Sequence, residues 1–145
     1  MKLSTRGRYA LRLMLDLALQ PPGQSVSLKT IAQRQDISQK YLEQIVTPLT
    51  RCGYVTSNRG AQGGYSLSKP PEQYTVGMIL RTIEGSLAPV SCVESGASCS
   101  RMDCCATVEV YRRIDEAIDQ VVDGITLADL VEIQKTKHSL GSACL

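Results

Sequence analysis

Four of the six cysteines fall in one short stretch, Cys92-Val-Glu-Ser-Gly-Ala-Ser-Cys99-Ser-Arg-Met-Asp-Cys104-Cys105. The stretch lacks the apolar periodicity of a helix or a strand, so it reads as a loop. Thiols grouped this way bind a metal, pair as disulfides, or stay free in a reducing compartment.

Two elements must hold this loop. Before it, Thr75 caps a helix over 76–84 with Met78, Ile79 and Ile83 as core contacts, closed by Gly85. After it, a long helix over 107–123 is stopped by Gly124. Val110, Ile114, Ile118, Val121 and Ile125 form one apolar line on that helix, widened by Val108, Tyr111 and Val122. A stripe so wide fits packing against a second copy across a two-fold axis, so a homodimer is expected. Thr126 and Asp129 then make a capping-box start for a last helix with Leu127, Leu130, Val131 and Ile133. Residues 136–145, including His138 and Cys144, have little pattern and are expected to form a free tail.

The net charge of +2 hides an asymmetry. Residues 1–60 carry nine Lys/Arg against three acids, and residues 61–145 carry seven against eleven. A basic first half suggests a polyanion-facing module. Without Trp or Phe, stacking on single-stranded nucleic acid is a weak expectation. Lys2, Arg6 and Arg8 precede an apolar run, but Arg12 and Asp16 interrupt it and no small-residue cleavage site follows. No stretch approaches the roughly 20 apolar residues that span a membrane. The expectation is a cytoplasmic protein without a membrane partner, where structural disulfides are rare.

The basic half reads as a largely buried helix over 3–19, ended by Pro21-Pro22-Gly23. Ser27 caps a second helix over 28–34, and Ser38 caps a third with Tyr41, Leu42, Ile45, Val46 and Leu49 at helical spacing. Its other face carries Gln39, Lys40, Glu43, Gln44 and Thr47. Two helices joined by a tight turn make a helix-turn-helix pattern, or equally an ordinary hairpin with a solvated face. Gln suits adenine, and Glu can accept from the cytosine amino group. Pro48 should kink the third helix, with Gly53 closing it. Residues 54–57 and 65–68 alternate as short strands around a glycine-rich tip bearing Arg59. Such an arginine suits the negative potential of a narrow minor groove. Helix, wing and charge together favour double-stranded DNA as the partner. The expected fold is mainly α with a small β-hairpin wing: a winged helix-turn-helix over 1–70, then a connecting helix, cysteine loop and dimerisation helix over 71–135.

The segments Ser-Thr-Arg-Gly-Arg-Tyr-Ala-Leu-Arg (4–12), Ile-Ser-Gln-Lys-Tyr-Leu-Glu-Gln-Ile (37–45) and Ser-Asn-Arg-Gly-Ala-Gln-Gly-Gly-Tyr-Ser-Leu (57–67) resemble the Rrf-two family of bacterial winged-helix regulators. Residues 74–84 and the cysteine loop resemble its iron–sulfur, IscR-like branch. The resemblance runs to about Ile133. It implies a homodimer whose third helix enters the major groove and whose wing enters the minor groove of an operator. DNA contacts would fall on Ser38, Tyr41, Glu43, Gln44 and Arg59. It also implies an iron–sulfur cluster on Cys92, Cys99 and Cys105, with Cys104 the runner-up for the third position. The fourth ligand is open, because the branch's histidine position is Val108 and an acidic position used by some relatives is Arg8. Candidates are Cys104, Asp103, Glu109, His138, Cys144, or an external thiol or water. A 2Fe–2S cluster is placed ahead of 4Fe–4S.

Three further readings stand beside this one. Structural zinc is weaker because two CxxC pairs are absent. A cluster-independent thiol/disulfide switch needs only exposed, acidic thiols. A cofactor-free regulator tuned by a protein partner is the third, and six cysteines argue against it. Cys52 is expected to be a half-buried structural thiol. An enzyme is not expected: there is one His, no P-loop and no Gly-x-Ser-x-Gly.

Overall fold

A computed structural model describes residues 2–141. The elements are α1 (Thr5–Ala18), α2 (Leu28–Gln35), α3 (Gln39–Arg51), β1 (Val55–Asn58), β2 (Gly64–Leu67), α4 (Val76–Glu84), α5 (Ala106–Gly124) and α6 (Leu127–Ser139). Short 3-10 turns lie at Pro71–Gln73 and Ser91–Val93.

Hydroxyl caps set most helix starts. Ser4, Ser27, Ser38, Thr75 and Thr126 each accept from the amide three residues on, and Thr126 with Asp129 closes a full capping box. The first helix therefore begins at Thr5 rather than Leu3. Helix α3 passes through Pro48 and ends in a Schellman motif: Gly53 (φ 72°) donates to Thr50 O and Tyr54 to Leu49 O. Because the Tyr54 amide closes that cap, β1 starts one residue later than alternation suggests.

The wing is an antiparallel pair with Val55 opposite Leu67 and Asn58 opposite Gly64. Val26 adds a bridge on its far side, exchanging hydrogen bonds with Tyr65 at 2.9 and 2.8 Å.

One core joins the basic and acidic halves. Leu13, Ile31, Leu42, Ile45 and Leu49 pack with Tyr74, Ile79 and Leu127, all fully buried. Tyr74 is the polar pin in this core. Its OH accepts from Lys69 N at 2.9 Å and donates to Tyr54 O at 2.8 Å, tying the wing base to α4. Burial pushes its phenol above the ordinary value.

A smaller cluster, Leu80, Leu87 and Val122, seats α5 on α4. Arg81 clasps Asp119 and Asp123 there, and Gly77 lets the helices close. Arg81 holds the Asp123 carboxyl below its usual range. This pairing is therefore intact above the ordinary carboxylate pKa and is lost only as pH falls through the lowered one.

The apolar line expected on α5 divides. Ile118 packs inward against the cluster that holds Val122, and Val108 is buried too, while Val110, Ile114 and Val121 are 55, 40 and 59 % exposed. Helix α6 also runs to Ser139, so the start of the expected tail is helical; an i,i+3 Lys135–Glu132 pair and a Thr136 hydroxyl bond to Glu132 O accompany that extension. Cys144 lies outside the described residues.

Candidate nucleic-acid interface and cysteine loop

Helix α3 buries Leu42, Ile45, Val46 and Leu49 and exposes Gln39, Lys40, Glu43, Gln44 and Thr47. A buried stripe this regular fixes which side chains can meet a groove. Ser38 is exposed, its Oγ occupied as acceptor for Tyr41 N at 3.1 Å, which leaves its O–H free to donate outward. Glu43 accepts from Gln39 Nε2 at 3.4 Å, one turn earlier on the same face. Tyr41 is half-buried, edge-on to Tyr9 with ring centroids 6.0 Å apart, and Arg12 caps the Tyr9 ring. Four of the five expected DNA residues thus share the start of one helix. Arg59 stands apart, exposed at the wing tip and without a partner among the described residues. Asn58 beside it donates to Ser25 Oγ at 2.5 Å, anchoring the tip.

These assignments separate by experiment. Arg59→Ala should weaken binding to all duplexes alike and lower the salt slope by about one. Glu43→Ala should instead relax discrimination at one base pair by ~1–3 kcal/mol. Titrations of matched and mismatched DNA at several salt concentrations check both.

Behind the interface lies a polar knot that the sequence does not announce. Asp16 is only 5 % exposed, yet it accepts from Arg34 Nη1 and Gln35 Nε2, both at 2.9 Å. Arg12 in turn donates to the Gln35 side chain and carbonyl. The knot locks α1 to α2, and through Arg12 and Tyr9 it reaches Tyr41. Its one sequence signal is a carboxylate on an otherwise apolar helix face, where a buried charge requires partners.

The cysteine loop joins α4 to α5. Cys92 and Cys105 are half-buried, Cys99 and Cys104 exposed, and none of the four is in a disulfide. Cys52 is exposed too, because it occupies the C-cap of α3 rather than its buried face. Cys92 and Cys99 line the same open depression of about 610 Å³. Cys105 sits at the N-cap of α5, with Sγ 3.1 Å from Thr107 Oγ1. The Thr107 hydroxyl, then the Val108 amide, hold its thiol below the ordinary value. Thiolates gain stability in such a place.

In kind, this donor set fits a metal or iron–sulfur cluster: three thiols in an open loop, one of them held below its ordinary value by the Thr107 hydroxyl. In arrangement, among the described residues no three His, Cys, Asp or Glu side chains form a group that could hold a metal ion. Cys92, Cys99 and Cys105 are therefore not gathered in this conformation. Of the fourth-ligand candidates, His138 lines a different cavity, with Arg12, Asp16 and Arg34, and Glu109 is paired with Arg113.

The Rrf2 family model, described as "Iron-dependent Transcriptional regulator", matches residues 3–133. Protein rrf2 of Nitratidesulfovibrio vulgaris is 44 % identical over 131 residues, covering 90 % of this chain and 87 % of the relative. The structure of CymR, the global cysteine regulator of B. subtilis, superposes with a TM-score of 0.77 at 41 % identity, covering 92 % of this chain and 98 % of that one. T. potens IscR superposes with a TM-score of 0.75 at 40 % identity, covering 92 % and 88 %. No helix among the described residues is long and apolar enough to cross a membrane. With its helix-turn-helix, hairpin wing and long α5, the chain belongs to the Rrf2 family of transcriptional regulators.

Proposed function

We propose that this regulator is a cytoplasmic homodimer whose DNA affinity is set by an iron–sulfur cluster on the 92–105 loop. Cys92, Cys99 and Cys105 would supply the thiolates, and 2Fe–2S is favoured over 4Fe–4S. The observation that carries the reading is the thiol-rich, disulfide-free loop that ends on Cys105 at the N-cap of α5. A bound cluster supplies a group whose redox state and charge respond to oxygen, nitric oxide or iron supply. The chain's own part is to move the loop: gathering three thiols requires the segment between Gly85 and Cys105 to rearrange. That segment is continuous with α4, which packs on α1 and α3. A change in the loop thereby bears on the helix that carries Ser38, Tyr41, Glu43 and Gln44 to an operator, and on the wing that follows it with Arg59. Val110, Ile114 and Val121, left exposed on α5, supply the dimer seam.

Protein purified without oxygen should be brown, contain iron and sulfide, and lose visible absorption in Cys92→Ala. Colourless protein carrying stoichiometric zinc would overturn the reading.

The ungathered thiols favour a second reading, a cluster-independent thiol switch, and kinship with a cysteine regulator supports it. Under it, DNA affinity of iron-free protein follows added oxidant and reductant. Unchanged affinity across both excludes it.

A further inference from the structure

Pro48 lies inside the recognition helix α3. Having no N–H, it leaves the carbonyl of Gln44, four residues earlier, without its helical donor. The Arg6 guanidinium takes that place, donating from Nη2 at 3.2 Å. A charged donor from α1 is thus tied to the middle of α3, next to Glu43.

Arg6 is itself held. Its neighbour Ser4 donates from both N and Oγ to Glu84 Oε1, at 2.9 and 2.7 Å. The same hydroxyl accepts from Gly7 N at 3.1 Å, so the first turn of α1 closes on the last residue of α4. Gly7 is buried, and a Cβ there would run into the Glu84 carboxylate. The carboxylate also lies at the positive end of the α1 dipole, where an anion is stabilised.

We infer that Arg6 is a positioning residue for DNA recognition: it fixes α3 through the carbonyl that Pro48 orphans, and Glu84 fixes Arg6. This holds whether or not the loop carries a cluster. The competing role for an exposed basic residue is a phosphate contact, and the two differ in what they do to specificity and salt dependence.

The test starts with a duplex selected from a random pool by the purified wild-type protein. Affinities for it and for a scrambled duplex are then measured across salt concentrations. Arg6→Ala should lose about five- to tenfold of the preference for the selected duplex, as expected for one solvent-exposed hydrogen bond, with its salt slope unchanged. Pro48→Ala restores an N–H to Gln44 O, so the double variant Arg6→Ala/Pro48→Ala should recover the preference. Glu84→Ala removes a negative charge, which by electrostatics alone would strengthen DNA binding; positioning predicts that it lowers the preference instead. Should Arg6→Ala fail to fold by circular dichroism, the Glu84→Ala result decides. A uniform loss on both duplexes with the slope reduced by about one, an unchanged preference, or no rescue by Pro48→Ala overturns the inference.

Discussion

Ile114→Glu is expected to turn the protein into a monomer and to lower operator affinity by roughly two to four orders of magnitude. Helix α5 is nineteen residues long, and only Val108 and Val122 on it are buried. Ile114 lies outward between Val110 and Val121, 40 % exposed in the single chain. A monomeric helix would leave this apolar stripe in water, at about 25 cal/mol per Å². Pairing with a second α5, as proposed above, would remove the cost. A glutamate there would bury an unpaired charge on each side of a symmetric seam, which such a seam cannot accommodate. The large loss on DNA follows because two linked half-sites bind far more tightly than one. Because the residue is partly exposed in the single chain, each chain should keep its fold. Sedimentation and operator titration on the same sample check both parts; a dimeric variant with wild-type affinity would place the seam elsewhere.

Gly64→Ala should destabilise the fold by about 2–4 kcal/mol and uncouple the wing. Gly64 has φ 152°, a conformation that L side chains rarely adopt, and its Cβ would run into the backbone of Val26 and Ser27. Backbone cannot swing aside as a flexible side chain does. The nearest relief is to part Val26 from Tyr65, breaking the two hydrogen bonds between them. The wing tip that carries Arg59 would then lose its anchor on the body of the fold. Gly124→Ala is the control: it meets nothing within 4 Å, and its backbone has no positive φ. Urea midpoints should fall for the first variant and stay or rise for the second.

What could be read from the sequence was local. Ser27, Ser38, Thr75 and the Thr126–Asp129 pair act within one turn of their own helices, so their spacing alone suffices. The wing was legible because glycine-rich turns and alternation are short-range signals. Its first strand starts one residue later than alternation suggests because Tyr54 serves the preceding helix cap as well. Arg6 meeting Gln44, Ser4 meeting Glu84 and Tyr74 meeting Tyr54 left no local trace, since each pair is brought together by packing of distant segments. The single apolar line on α5 split for the same reason. Periodicity marks the apolar positions, and the docking of Leu80 and Gly77 against Val122 decides which of them turn inward. For the cysteines, sequence supplied the donors but not their convergence, which depends on a loop conformation that no short-range rule dictates.

The clasp of Arg81 on Asp119 and Asp123 has a consequence for how this protein can diversify. It holds the end of α4 beside the last turns of α5, so the chain between them behaves as a closed ring with a fixed base. Lengthening such a ring costs little, about 0.6 kcal/mol per doubling. Residues can therefore be gained or lost between its cysteines at little cost to the fold. Cysteine spacing is free to drift while the base of the ring keeps its place on α4.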